Sequence, residues 1–274
     1  MGSIPTLGSM NIEFKKMHGI GNDFVVIDNF NGRIKLSKDQ VAYLCDRHKG
    51  VGADGVILVE ASSEVDCFMN YINADGSEAQ MCGNGIRCVA KFLKDDYLKS
   101  KNIFKIATRG GVKEVISDGS NSFSVNMGKP IFISDDFPNF SENVLFEGLT
   151  LHCVSMGNPH AVVFVEDLNK YDLLALGPKI ENNKNFPNKI NFELVEKISS
   201  GELKVKVWER GCGATLACGT GACAVYAISR KYENTLKEVV IHLPGGKLFV
   251  LEKENGEIIM KGEAKSVYFG LIEI

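Results

Sequence analysis

Met81-Cys82-Gly83-Asn84-Gly85 and Ala217-Cys218-Gly219-Thr220-Gly221 stand 136 residues apart, and the surrounding chain keeps that offset. Upstream, Asn73 falls on Glu209, Gly21-Asn22 falls on Gly157-Asn158, and residues 55–60 (GVILVE) fall on residues 191–196 (NFELVE). Four registers at one offset mark an internal duplication. The chain reads as two copies of one domain, each carrying a Cys-Gly-x-Gly turn. Duplicated folds bring equivalent turns together about a pseudo-two-fold axis, so Cys82 and Cys218 are expected to face each other across one cleft.

Outward from the turns, Ile86, Val89, Ala90, Leu93 and Tyr97 keep the spacing of a helical face, predicting a helix from Ile86 to Leu98; Ala222 to Tyr232 predicts its counterpart. Strand signals open with an amphipathic pattern that begins at Met10 and cover Phe24 to Ile27, Val56 to Glu60, Cys67 to Tyr71, Phe104 to Ala107, Val112 to Ile116 and Ser122 to Met127. In the second copy they cover Ala161 to Val165, Phe192 to Val195, Leu203 to Val207, Val239 to Ile241, Leu248 to Leu251 and Ile258 to Met260. Ser37-Lys38-Asp39-Gln40 offers a capping box that opens a further helix through Arg47. Strands outnumber helices, with one long helix per copy. The expected fold class is α+β: two homologous, pseudo-two-fold-related domains, residues 10–127 and 128–262, each a mixed or antiparallel sheet wrapped around a central helix. The apolar segment 263–274 is too good a strand to dangle and is expected to pair back into the first domain, whereas residues 1–9 (MGSIPTLGS) read as an expression leader.

Gly50-Val51-Gly52-Ala53-Asp54-Gly55 matches G-x-G-x-x-G, but a dinucleotide site needs a strand before that motif and a helix after it. Here the order is reversed, so the segment reads as a helix-to-strand turn. A net charge of −3 and a pI near 6 argue against a nucleic-acid or membrane-surface partner. No apolar run approaches a membrane span, and a soluble cytoplasmic protein is expected. The eight cysteines are irregularly spaced, without C-x-x-C or paired histidines, which argues against a disulfide framework or a zinc site. Cys45, Cys67 and Cys153 read as buried hydrophobes.

A helix start carries unpaired N–H groups and the positive end of the helix dipole, so each turn is suited to bind a carboxylate and expected to lower the pKa of its thiol. Two acid/base groups on opposite sides of one carbon are what inversion by proton transfer requires: one removes hydrogen from one face, the other delivers it to the opposite face. An amino-acid α-carbon fits that chemistry, with its carboxylate held by the N–H groups as negative charge develops. Nothing in the sequence marks a pyridoxal-phosphate lysine.

The chain resembles the diaminopimelate epimerases in Met17 to Phe24 (MHGIGNDF), Asn73 to Ser77 (NADGS), Met81 to Cys88 (MCGNGIRC), Met156 to His160 (MGNPH), Glu209-Arg210-Gly211 and Ala217 to Ala222 (ACGTGA). The resemblance implies a cofactor-independent interconversion of LL- and meso-2,6-diaminoheptanedioate in lysine and cell-wall precursor synthesis, with Cys82 and Cys218 as the proton-transfer thiols. It also implies that Gly83, Asn84, Gly219 and Thr220 hold the reacting carboxylate, that Asn22, Asn73, Asn158, Asn191, Glu209 and Arg210 bind substrate, and that His160 and Glu209 tune the thiols. A homodimer contact at Tyr268 is implied too; no metal is. Asymmetry laid over the repeat suits a substrate inverted at one end and anchored at the other: Arg210 falls on Ala74, His160 on Phe24 and Glu209 on Asn73. The chain departs from the family at Gly55, where some members carry a substrate-contacting Gln, and at Ala214, where many carry Glu. Two rivals stand beside this reading: a proline or hydroxyproline racemase, which resembles Met-Cys-Gly-His instead of the Met-Cys-Gly-Asn found here, and a thiol redox or metal-binding protein.

Overall fold

The computed structural model describes residues 10–137 and 143–274, so the leader reading of residues 1–9 lies outside the described residues. The first half runs β1 (Asn11–Gly19), β2 (Asn22–Asn29), α1 (Lys38–Cys45), β3 (Gly55–Glu60), β4 (Cys67–Asn73), α2 (Gly83–Asp96), β5 (Ile103–Thr108), β6 (Gly111–Ser117) and β7 (Ser122–Gly128). The second runs β8 (Asn143–Phe146), β9 (Leu149–Ser155), β10 (Pro159–Val165), α3 (Leu173–Glu181), β11 (Asn191–Lys197), β12 (Glu202–Glu209), β13 (Gly213–Thr215), α4 (Gly219–Tyr232), β14 (Glu238–Leu243), β15 (Gly246–Glu252), β16 (Ile258–Glu263) and β17 (Lys265–Glu273).

Hydrogen bonding joins the strands into one ribbon, from β17 through β1, β2, β3, β4, β5, β6 and β7 to β16, β15, β14, β12, β11, β10, β9 and β8. The parallel pairs β2/β3 and β4/β5 recur as β10/β11 and β12/β14. Even the register repeats. Val26 lies opposite Ile57 and Val162 opposite Glu193, each a step of 136. Beyond α2 the step becomes 135, as Phe104 opposite Val115 repeats in Val239 opposite Val250. Where the halves meet, Val125 of β7 lies opposite Met260 of β16, and these two residues are themselves 135 apart. Equivalent residues that face each other across an antiparallel pair flank a two-fold axis. The pseudo-two-fold axis therefore passes between Val125 and Met260.

Apolar side chains on most of their circumference keep α2 and α4 inside the sheets. Ile86, Val89 and Leu93 of α2 join Ala222, Val225 and Ile228 of α4 in one buried cluster with residues from both halves' strands. At α1 the capping box is formed: Gln40 N donates to Ser37 Oγ at 3.2 Å, and Ser37 N donates to Gln40 Oε1 at 2.9 Å. The helix stops at Cys45, short of the expected Arg47, because Asp46 Oδ1 accepts the N–H groups of His48 and Lys49 at 2.8 and 2.9 Å and turns the chain. At Gly50 a Cβ would fall 1.8 Å from the Tyr43 carbonyl oxygen, so the G-x-G-x-x-G segment is the helix-to-strand turn its order implied. The expected strands and both central helices are present, while α3, β8, β9 and β13 went unread. Pro178 interrupts the helical pattern of α3, whose start is set by Asp172 accepting from Leu174 N and Ala175 N at 2.9 and 3.3 Å.

Burial pushes the thiols of Cys45, Cys67, Cys88, Cys153 and Cys223 up to about 12. Unfolding returns them to about 8.5. Above that pH the unfolded chain sheds protons that the native state retains, so stability falls as pH rises. The melting temperature is expected to hold between about pH 7 and 8 and to decline steadily from about pH 9 upward. A melt unchanged at about pH 10 would contradict the burial of these thiols.

Candidate active site

Cys82 and Cys218 are the N-cap residues of α2 and α4 and share one backbone conformation, φ −133°, ψ 118° and φ −125°, ψ 116°. Each sulfur accepts the N–H three residues on, from Gly85 and Gly221, both at 3.4 Å. The following glycines bring the helix starts into contact. A Cβ on Gly83 would lie 3.6 Å from Gly219 Cα, and one on Gly219 would lie 3.4 Å from Gly83 Cα. Met260, beside the pseudo-two-fold axis, presses on both: those Cβ positions lie 2.9 Å from its Cε and 3.2 Å from its Sδ. First-turn N–H groups such as those of Gly83, Gly219 and Thr220 have no acceptor within their own helices. Two abutting helix starts thus offer their donors and dipoles to a single anion.

The environment of the sulfurs overturns one expectation. Burial pushes Cys82 up to about 11; the N–H groups of Gly85 and Asn84 and the charge of Arg87 pull it down, while Glu209 pushes it up. Cys218 is only 4% exposed and lies well above the ordinary thiol range, through burial first and then the carboxylates of Glu209 and Glu193. Helix starts were expected to lower both thiols. Desolvation of the anionic form outweighs them because, among the described residues, no cation is hydrogen-bonded to either sulfur, so both cysteines rest as neutral thiols near neutral pH.

Around Cys82, the Sγ lies 3.6 Å from Asn22 Oδ1, which also accepts from Asn84 Nδ2 at 3.1 Å. Around Cys218, the Sγ lies 3.5 Å from Thr220 Oγ1, which accepts from Asn158 Nδ2 at 3.3 Å. Behind Asn158 stands His160, with Nε2 3.1 Å from Asn158 Oδ1 and Nδ1 2.7 Å from Glu193 Oε1, both side chains fully buried. Glu209 accepts from Thr215 Oγ1 at 2.6 Å. Burial raises its pKa, against hydrogen bonds from Thr215 and Cys218. The structure thus gathers Cys82, Cys218, Asn22, Gly83, Asn84, Asn158, His160, Glu209, Gly219 and Thr220 around the two helix starts. The remaining three candidates differ in how free they are. Asn191 is buried, donating to Pro159 O at 2.8 Å and accepting from Arg210 N at 3.0 Å, so its side chain holds the Arg210 turn. The Arg210 side chain is exposed and donates to Asn188 O at 2.9 Å. Asn73 donates from Nδ2 to Ser77 Oγ at 3.0 Å.

Four residues of this neighbourhood escaped the sequence reading: Glu193, Tyr71, Asp54 and Arg87. Glu193 was legible, since it sits on the inward apolar register of β11 at the position equivalent to Ile57. Tyr71 explains the departure at Gly55, where a Cβ would fall 2.6 Å from the Tyr71 ring and 2.6 Å from Ile72 O. Among the described residues, no three His, Cys, Asp or Glu groups converge to hold a metal ion, and no helix is long and apolar enough to cross a membrane.

The diaminopimelate epimerase family model matches residues 14–133 and 152–267, which span both cysteine turns and the flanking segments just described. The chain belongs to the diaminopimelate epimerase family. Among its relatives, the diaminopimelate epimerase of Halothermothrix orenii is 43% identical, over 97% of this chain and 99% of that protein. That of Carboxydothermus hydrogenoformans is 43% identical over 94% and 98%. That of Methanococcus maripaludis is 40% identical over 96% and 100%. Solved structures share the two-domain α+β fold at low identity. A hydroxyproline epimerase from Agrobacterium vitis with bound trans-4-hydroxy-L-proline gives a TM-score of 0.71 at 14% identity, over 96% of this chain and 91% of that one. A Bacillus anthracis protein of the PhzF family gives 0.70 at 17%, over 97% and 100%.

Proposed function

We propose that this chain is an isomerase that interconverts LL- and meso-2,6-diaminoheptanedioate without a cofactor, in the cytoplasmic synthesis of lysine and peptidoglycan precursors. The observation that carries the reading is the contact between two cysteine-capped helix starts on a pseudo-two-fold axis. One thiolate removes the α-hydrogen as a proton, leaving its electron pair on carbon. The other thiol then delivers its own proton to the opposite face, and the roles exchange in the reverse direction. Negative charge spreading into the reacting carboxylate meets the N–H groups of Gly83, Asn84, Gly219 and Thr220. For Asn84 only the backbone N–H serves, since its carboxamide is engaged by protein groups. Bringing the substrate ammonium beside a thiol favours the thiolate that burial suppresses in the free protein. Glu209 and His160 set the proton occupancy on the Cys218 side, while Asn22, Asn73, Asn158, Asn191 and Arg210 line the route to the far end of the substrate. An exposed guanidinium such as Arg210 suits the distal carboxylate.

Incubating the protein with LL-diaminopimelate in deuterated water tests this reading. The α-proton signal should disappear as the meso isomer appears, reaching the same mixture from either isomer. Exchange with proline or hydroxyproline but not with diaminopimelate would transfer the chain to the rival racemase reading.

We assign the halves to residues 10–127 and 128–262, with β17 as the arm that returns to the first half by pairing with β1. We also propose a homodimer through β17. This strand lies at the ribbon edge and exposes Val267, Tyr268, Phe269 and Leu271, with Phe269 85% exposed. Beside it opens a cavity of about 520 Å³ lined by Phe14, Phe92, Tyr97, Phe269 and Leu271. An apolar edge strand is a template for pairing with another chain, and a second copy supplies the same strand. Tyr268 packs edge-on against Phe14, ring centroids 5.9 Å apart. Tyr268→Ala is expected to weaken association by about tenfold or more, as removal of an interface aromatic does, and to lower activity with both thiols intact. Sedimentation of the parent protein as a fully active monomer at micromolar concentration would refute the dimer.

A further inference from the structure

Two ions and two carboxamides form a single line beside Cys82. At one end is Arg87, fully buried one turn along α2 and enclosed by Gly19 and Gly262, whose Cβ positions would fall 3.0 Å from its Nη2 and 3.3 Å from its Cζ. Its hydrogen-bond partners are Gly83 O at 3.0 Å, Glu263 O at 3.4 Å, Met260 Sδ at 3.8 Å and, from Nη2, Asn84 Oδ1 at 2.8 Å. Asn84 Nδ2 then donates to Asn22 Oδ1 at 3.1 Å and to Ala217 O at 3.2 Å. Asn22 Nδ2 donates to Asp54 Oδ2 at 2.7 Å, and Asp54 Oδ1 accepts from Arg47 Nη2 at 2.8 Å. Arg47 also grips both oxygens of Asp23, at 2.8 and 3.1 Å, so the far end is itself pinned.

A guanidinium can only donate and a carboxylate can only accept, whereas a carboxamide does either according to which way it is turned. With ions fixed at both ends, neither amide can turn alone without setting oxygen against oxygen or NH₂ against NH₂ at a junction. We propose that Arg87 and Asp54 are positioning residues that lock the orientation of Asn84 and Asn22, so that Asn22 presents only its carbonyl oxygen to Cys82. The inference rests on the two-thiol reading above. It gives the site a polarity that the repeat lacks: the positions equivalent to Asp54 and Arg87 are Ile190 and Cys223. The equivalent asparagine, Asn158, turns the other way, giving its NH₂ to Thr220 and its oxygen to the His160 side. Cys82 therefore meets an amide oxygen directly, whereas Cys218 meets Thr220 Oγ1, which takes the NH₂ of the equivalent amide, and this difference distinguishes the two faces of the reacting carbon.

The test uses Arg87→Met, Arg87→Lys and Asp54→Ala in the full chain, with side-chain carboxamide ¹⁵N NMR of Asn22 and Asn84 and with kcat and KM for diaminopimelate. Locking predicts that Arg87→Met shifts the Asn22 signals and Asp54→Ala shifts those of Asn84, each across an intervening amide, while the Lys variant stays near the parent. In the Met and Ala variants kcat should fall about 10- to 100-fold, the scale of a misplacement near 1 Å, with a smaller change in KM. Signals that move only at the adjacent amide, or parental kcat in folded Arg87→Met and Asp54→Ala, would overturn the proposal. Asp54 is 41% exposed, so its variant carries the test if Arg87→Met does not fold. The NMR arm needs no turnover, and it decides the line of hydrogen bonds even if diaminopimelate proves not to be the substrate.

Discussion

Cys82→Ala and Cys218→Ala are each expected to reduce epimerisation by about 10⁴-fold, to background, because each removes the only proton carrier on one face of the substrate. Both variants should stay folded. The loss to the fold is one N-cap acceptor, the sulfur that takes the N–H of Gly85 or Gly221 at 3.4 Å, and an N-cap is worth about 1 kcal/mol. A finer result separates the two thiols. With one base left, the α-hydrogen of one isomer can still be removed and returned from the same face, so each variant should exchange that hydrogen with deuterated water without inversion, and the two variants should choose opposite isomers. Cys→Ser keeps the cap and a proton carrier of far higher pKa, so slow turnover should remain. Near-normal epimerisation by either Ala variant, or exchange of both isomers by one of them, would end the two-thiol mechanism.

His160→Phe is expected to be the most damaging single change near the site that touches no thiol. His160 and Glu193 are fully buried and 2.7 Å apart, and Glu193 Oε2 already has no hydrogen-bond partner among the described residues. Removing the imidazole orphans the other oxygen as well, at a cost of about 3 kcal/mol or more. For a chain of this size that corresponds to a melting temperature lower by roughly 6–12 °C. The repeat supplies the compensating change. In the first half Phe24 and Ile57 occupy the positions of His160 and Glu193, and both are buried. The double variant His160→Phe/Glu193→Ile therefore copies a packing the fold already uses, and it should recover most of the lost stability. Activity should not return with it, because Asn158 loses its partner at Oδ1 and Cys218 loses the Glu193 carboxylate. Equal melting temperatures for the single variant and the parent would show that the pair contributes nothing to the fold. Recovery of activity in the double variant would remove His160 from the site's chemistry.

Much of this protein is legible one residue at a time. The offset of 136 survives into the ladder because strand register is carried by alternating side chains, and a slipped register would turn Val162 or Ile57 to the wrong face. The same local chemistry places the capping box of α1, the reversed G-x-G-x-x-G turn and the two cysteine-capped helix starts. Family resemblance then names the side chains near the thiols. Three features belong to the tertiary structure alone, because each depends on residues brought together from distant parts of the chain. Gly83 meets Gly219 only because β7 and β16 pair equivalent residues at the axis. The direction of the thiol shifts reverses what the helix starts imply, since desolvation is a property of the surrounding core and not of the turn. The orientation of Asn22 and Asn84 follows from ions at positions 54 and 87, whose contact with the amides no spacing in the sequence records. Local pattern determined that there would be two equivalent halves; packing at their junction decided how those halves were made unequal.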